Sequence, residues 1–323
     1  MRETVLSETL SRQTLIVRRS HMRTNLSCAT VAAIAVLATL ILPYAVAAQS
    51  IWLDGQSRKD VTLEFYQPQF KYVTQSGYDW ESWSEFSGQV FFLTYRSQIS
   101  EKVVLVAELP YASGSYTYGS FSYDYSYWGF YWTDSDSYET SGKALGNPYI
   151  GIESGSEGTT LSYEFGVRIP TLWECHSSAA DAGMFADFDR FEAFACRSMT
   201  IQSAGNVSVR CDEGFVGHAR LAPCYMMCLG CSGTSAQLLL HYSAQVGYEG
   251  KPIAVLSGLT GVTTLSHNYF LEEGNSSVYQ LGFQANVSLG KVKPGVHLRI
   301  PLDYELNKVY SSVWGLNLQY QFE

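Results

Sequence analysis

From about residue 60 onward the chain alternates apolar and polar positions with a period of two, and no stretch there carries a convincing helical period. Successive side chains of a strand point to opposite faces, so this alternation predicts strands with two unlike faces. Residues 159–170 (TTLSYEFGVRIP) place Leu161, Tyr163, Phe165, Val167 and Ile169 against Ser162, Glu164, Gly166 and Arg168. Residues 277–290 set Tyr279, Leu281, Phe283, Ala285, Val287 and Leu289 against Gln280, Gly282, Gln284, Asn286 and Ser288. The C-terminus repeats the pattern, with Trp314, Leu316, Leu318, Tyr320 and Phe322 opposite Gly315, Asn317, Gln319 and Gln321.

Runs of this kind predict about twelve strands, near residues 61–74, 86–98, 102–110, 145–154, 159–170, 199–210, 214–224, 236–248, 252–264, 277–290, 294–303 and 312–322. Their connections alternate in length. Short links at 97–101, 154–157, 211–214, 248–251 and 290–293 separate longer ones at 75–85, 111–144, 171–198, 225–235, 265–276 and 304–311. An even number of antiparallel strands with this alternation defines an all-β fold, a transmembrane β-barrel with short periplasmic turns and long extracellular loops. Closure also leaves no backbone group unpaired in lipid. A secreted sandwich would share the alternation, but its core would have to hold the full charges of the polar face, at a large desolvation cost. A wet barrel interior holds them readily. That inward face comprises Glu64, Arg96, Glu108, Glu153, Glu164, Arg168, His218, Arg220, His241, His297 and Arg299.

The N-terminus adds a destination. A short basic stretch at Met22-Arg23, an apolar run over residues 29–42 and the small-residue site AVAAQS over 45–50 read as a secretory signal peptide cleaved after Ala48. Met22 is the better initiator, which makes residues 1–21 an over-extended start. The expected organisation is a leader over 1–48, a short periplasmic segment over 49–60 and a barrel over 61–323 in the bacterial outer membrane. Lipid and the outer-membrane assembly machinery are then the expected partners. The aromatic that such machinery reads is here penultimate, Phe322 before Glu323.

Composition narrows the function further. Apolar residues make up 46% and charged residues 16%, too hydrophobic for disorder. The net charge of −9 excludes a nucleic-acid partner, which needs a basic patch. Aromatics reach 14% and crowd into the loop after the third strand, with Tyr123, Tyr125, Tyr127, Trp128, Tyr131 and Trp132. Rings interleaved with Ser and Asp suit a ligand surface, an outer girdle or a gate, and the Tyr alternation suggests that the flanking strands run on beyond the membrane.

Three stretches carry a resemblance: VVLVAELPYA over 103–112, GNPYIGIESG over 146–155 and EFGVRIPT over 164–171. Together they resemble the outer-membrane barrels associated with the meta-cleavage pathway of phenol degradation, which are similar in architecture to hydrophobic-compound channels. The resemblance implies a channel for small hydrophobic or aromatic compounds, with no enzymatic activity and no cofactor. Residues 49–60 are too few for the N-terminal hatch of long-chain fatty acid channels. A non-conducting barrel whose aromatic loops bind a surface ligand or partner is the second reading.

The remaining motifs are weaker. His241 and Ser243 share a strand face, as a base and a nucleophile would, which raises a minor alternative, an outer-membrane lipid hydrolase. The pair points inward with other lumen residues. Outside the leader the cysteines are Cys175, Cys196, Cys211, Cys224, Cys228 and Cys231. Export favours disulfides over metal for them, and the strand positions put all but Cys211 near the outer loops. Asp134, Asp136 and Glu139 lack the spacing of an EF-hand and read as a solvated acidic loop.

Overall fold

The computed structural model describes residues 59–76, 80–126, 129–154, 161–175, 177–211, 214–229, 236–266 and 277–322. The expected leader and most of the segment after it lie outside these residues. The described strands are β1 (Asp60–Phe70), β2 (Val73–Ser76), β3 (Trp80–Ser100), β4 (Val103–Ser126), β5 (Gly129–Leu145), β6 (Tyr149–Ser154) and β7 (Leu161–Arg168), followed by β8 (Ser198–Arg210), β9 (Phe215–Cys228), β10 (Ala236–Glu249), β11 (Ile253–Thr264), β12 (Ser277–Val287), β13 (Val292–Pro301) and β14 (Tyr310–Gln321). Helix α1 (Ser178–Ala186) and a 3₁₀ helix (Phe188–Ala193) separate β7 from β8, and α2 (Tyr304–Val309) precedes β14.

All pairings are antiparallel, and each wall strand lies beside its neighbours in sequence. The ring closes twice over. β1 pairs with β14 from Asp60↔Gln321 to Phe70↔Tyr310. On its other side it pairs with β3, which itself pairs with β4 over nearly its whole length. Twelve strands therefore form a closed barrel, and β2 and β5 build its wall upward beside β3 and β4. β6 takes the lower half of β4 and β5 the upper half. The break between them falls at Gly146-Asn147-Pro148, where Pro148 has no N–H to give a ladder.

The two faces of the wall differ as the alternation requires. Leu63, Leu93, Leu109, Ile150, Phe165 and Leu316 point outward and are exposed, an arrangement that only lipid makes favourable. Rings edge this band. Phe65, Phe91 and Tyr111 form a ladder with centroids 5.0 and 6.3 Å apart on the upper side. Tyr320–Phe322 and Phe215–Tyr248 mark the lower side. Among the described residues no helix is long and apolar enough to cross a membrane; the strands do so.

One strand bound and one loop need correction. The strand placed over 102–110 continues to Ser126 and returns as β5, so the aromatic loop is a hairpin standing above the barrel, and the flanking strands run on as the Tyr alternation suggests. Tyr123 and Tyr125 lie on β4 and Tyr131 and Trp132 on β5, with Tyr123 opposite Trp132; Tyr127 and Trp128 lie outside the described residues. The segment over 171–198, expected to be an outer loop without helix, instead turns into the barrel and folds there.

Candidate functional site

The segment between β7 and β8 plugs the lumen. Its helix α1 is capped by the Ser177 side chain, which accepts from the Ala180 N–H at 3.1 Å. The buried face of α1 is nearly all alanine: Ala179, Ala180, Ala182 and Ala186. These small residues let the helix lie close against the inner wall, where Ser178 donates to the Gly114 carbonyl at 2.9 Å. A Cβ at Gly114 would stand 2.3 Å from the Ser178 carbonyl oxygen, so this contact requires glycine.

Below α1 the run Asp187-Phe-Asp-Arg-Phe-Glu192 carries four charges, and all four are buried. Each has a partner on the wall. Arg190 is the hub: its guanidinium donates to Asp187 at 2.6 Å, Glu64 at 2.8 Å, Glu108 at 2.7 Å and the Tyr66 hydroxyl at 3.0 Å. It also lies 3.8 Å above the Phe92 ring. Asp187 pairs with Arg299 of β13. Asp189 accepts from Thr260 at 3.1 Å and Gln280 at 3.0 Å. Glu192 faces His241 at 2.8 Å. Burial pushes the Asp187 carboxyl up, but the Arg190 and Arg299 guanidiniums outweigh it and hold the group at about 2.

Asn147, at the break between β5 and β6, ties both ends of the plug. Its Nδ2 donates to the carbonyls of Glu192 at 3.0 Å and Ala195 at 2.7 Å. Its Oδ1 accepts from the N–H groups of Thr171 at 3.0 Å and Leu172 at 3.1 Å. A disulfide, Cys175–Cys196, closes the same neck. Phe194 adds an edge contact to Phe92, with centroids 5.9 Å apart.

The eleven residues read from the alternation are placed as follows. Glu64, Glu108, His241 and Arg299 meet the plug. His297 stacks on Tyr66 with centroids 4.5 Å apart beside that cluster. Arg168 pairs with Glu108 at 2.8 Å. Lower in the barrel Arg96 pairs with Glu153, and Arg220 with Glu164, which also accepts from the Tyr149 hydroxyl at 2.6 Å. His218 faces Glu249 at 3.2 Å near the lower rim. The space among Glu108, Glu164, Arg168, Arg190 and Arg220 is about 20 Å³, room for one water and for no organic solute.

The alternation missed Tyr66, Tyr149, Asn147 and every plug residue. It also misplaced Cys224. β9 runs on to Cys228, so Cys224 is an inward, buried position on the wall, where its thiol lies 3.6 Å from Glu192. His241 on the adjacent strand has a ring nitrogen within 4.8 Å of that thiol. The two nitrogens of His241 face Glu192 and, at 3.2 Å, the Asp189 carbonyl oxygen, an arrangement that leaves neither for Ser243.

The fold matches an outer-membrane channel from Pseudomonas putida F1, with 12% identity over 85% of this chain and 100% of that one and a TM-score of 0.53. Looser likenesses are the transport unit of the autotransporter AIDA-I from Escherichia coli (7% identity, 85% and 93% covered, TM-score 0.45) and LpxR from Salmonella typhimurium (12%, 81% and 100%, TM-score 0.43). No family model matches the chain, and no curated protein does. Closure, the lipid-facing band and the shared fold define a bacterial outer-membrane β-barrel. They do not narrow it to the phenol-degradation family.

Proposed function

We propose that the protein is a gated outer-membrane channel for small hydrophobic or aromatic compounds, with the segment between β7 and β8 as the gate. One observation carries this reading. A separate piece of chain enters the lumen and fills it at the level of Glu64, Tyr66 and Arg299, above the wall's own pairs Arg96–Glu153 and Arg220–Glu164. A twelve-stranded ring is wider than the eight-stranded barrels that side chains alone can fill. The plug meets the wall through an apolar cluster, with Phe191 and Phe194 among Phe92, Leu239 and Val262, and through ion pairs and hydrogen bonds that water and wall partners can take over as the plug withdraws. Ring chemistry supports the solute class: the plug covers Tyr66 and Phe92, and Arg190 lies on the Phe92 face that a solute ring would take. The protein of like fold from Pseudomonas putida is itself a channel.

The test is conductance in planar bilayers, with and without residues 178–193, keeping Cys175 and Cys196. The expected result is a mostly closed wild type and a steadily open deletion variant that admits benzoate or phenol into liposomes. A deletion variant that folds as a barrel and passes no current would overturn the reading.

A second reading rests on the hairpin. Tyr116, Tyr118 and Tyr138 cluster above the membrane band, with centroids 5.6 and 6.1 Å apart around Tyr138, and such a surface suits stacking on a glycan or a partner.

A further inference from the structure

Glu192, Cys224 and His241 meet where the plug touches β9 and β10, and all three are buried. Their donor atoms lie within 4.8 Å of one another. His241 Nε2 stands 2.8 Å from Glu192 Oε1, and Cys224 Sγ stands 3.6 Å from the same oxygen.

Three features set this cluster apart from a simple ion pair. Nε2 lies 2.8 Å from Glu192 Oε1 without the alignment of a well-formed hydrogen bond. At 2.8 Å the two donors stand closer than two ligands of one ion, and they can serve as such a pair once they move apart. The other ring nitrogen, Nδ1, lies 3.2 Å from the Asp189 carbonyl oxygen. That contact holds a proton on Nδ1 and frees the Nε2 lone pair, the usual support of a metal-bound histidine. Finally, Cys224 keeps a free thiol while Cys175, Cys196 and Cys228 are oxidised. A thiol held beside an imidazole and a carboxylate is a donor set for a thiophilic metal.

We propose that Glu192, Cys224 and His241 bind a divalent transition-metal ion of the Zn²⁺ class, which clamps the plug to the barrel wall. In a tetrahedral site the donors stand about 3.5 Å apart, and these three reach that spacing with shifts of roughly 1 Å; water fills the fourth position. Binding releases the Cys224 thiol proton to solvent, along with any proton on Nε2. The thiolate and carboxylate then neutralise the dication. Arg168 and Arg220 nearby are already paired with Glu108 and Glu164, so the neutral centre does not unbalance the lumen. The site does not depend on whether the barrel conducts.

The experiment titrates the folded full-length barrel with Co²⁺ as a spectroscopic probe. The expected result is one equivalent bound, with a thiolate-to-cobalt absorption band in the near ultraviolet that Zn²⁺ abolishes. Cys224→Ser should remove the band. His241→Ala and Glu192→Gln should weaken binding by about tenfold or more, and Cys211→Ser should change nothing. Heat-modifiable migration on gels confirms that each variant has folded. No Co²⁺ uptake by the folded wild type overturns the site, as does a thiolate band that survives in Cys224→Ser. Cobalt binding in a barrel that never conducts supports the site and counts against the channel reading alone.

Discussion

Arg190 concentrates more of the plug's attachment than any other described side chain. It bonds three carboxylates and a phenol hydroxyl from three parts of the chain, the plug itself, β1 and β4. Replacing it with methionine strands Glu64 as a buried charge and leaves Glu108 with Arg168 alone, and breaking a buried pair costs about 3–5 kcal/mol. The plug should leave the lumen, so Arg190→Met should raise single-channel open time while the barrel remains heat-modifiable. Arg190→Lys should not restore closure, because a single ammonium cannot reproduce the planar fork. Asp187 sets the pH response of the same cluster. Its carboxyl is depressed from 3.8 to about 2, so its contribution is complete above about 4 and is lost as the pH falls through about 2. Closure through this group should be flat between pH 8 and 5, as conductance against pH will show. A rise in conductance already at pH 6 would assign closure to a different group. None of these plug charges was recognisable as such beforehand. The inward charges of the wall were, because strand alternation names a face. Asp187, Asp189, Arg190 and Glu192 sit in a segment without that period, and length alone cannot say whether a loop folds outward or inward.

At the scale of elements the plug is a closed loop, pinned at its neck by Cys175–Cys196 and by Asn147. Loop closure by a disulfide of this span contributes roughly 3 kcal/mol. Asn147→Asp keeps the acceptor for Thr171 and Leu172 but sets a carboxylate oxygen against the carbonyls of Glu192 and Ala195. Each buried group left unpaired costs about 1–3 kcal/mol. Under limited proteolysis of the folded barrel, Asn147→Asp and Cys175→Ser should each be cut within the plug segment much faster than wild type, and together faster still. Equal cleavage rates would show that the neck does not hold the plug. The motif around Asn147 was visible as GNP, but as a strand start; its latch function appears only with the plug in place. Signals for the plug were nonetheless present: an alanine-rich turn, then four charges in six residues, between two cysteines. Cys224 was misplaced for a related reason. Tyr-Met-Met-Cys breaks the polar face of the alternation, so the strand expected over 214–224 stopped short of the end of β9, although Cys224 and Met226 are apolar rungs lining the plug.

For the whole molecule, the wall divides into a barrel and a hairpin standing on it. The ring is closed by the lower rungs of β3 and β4, from Val90↔Ala112 to Ser100↔Val103, and by the pairing of β1 with β14. The upper rungs add sheet but no closure. The plug meets β4 at Gly114, where Ser178 bonds. Above it, Tyr116 pairs with Thr140, so the chain can be shortened there by joining these two residues and removing 117–139. The shortened protein should assemble, migrate as a heat-modifiable barrel and keep wild-type gating, because every ion pair of Arg190, Asp187 and Glu192 described above lies below the cut. If bilayer recordings show a permanently open pore after this excision, the hairpin is part of the gate. Unchanged gating with loss of binding to a glycan array or to whole cells would assign the tyrosine cluster to recognition, and conduction and surface binding would then be separable duties of one barrel.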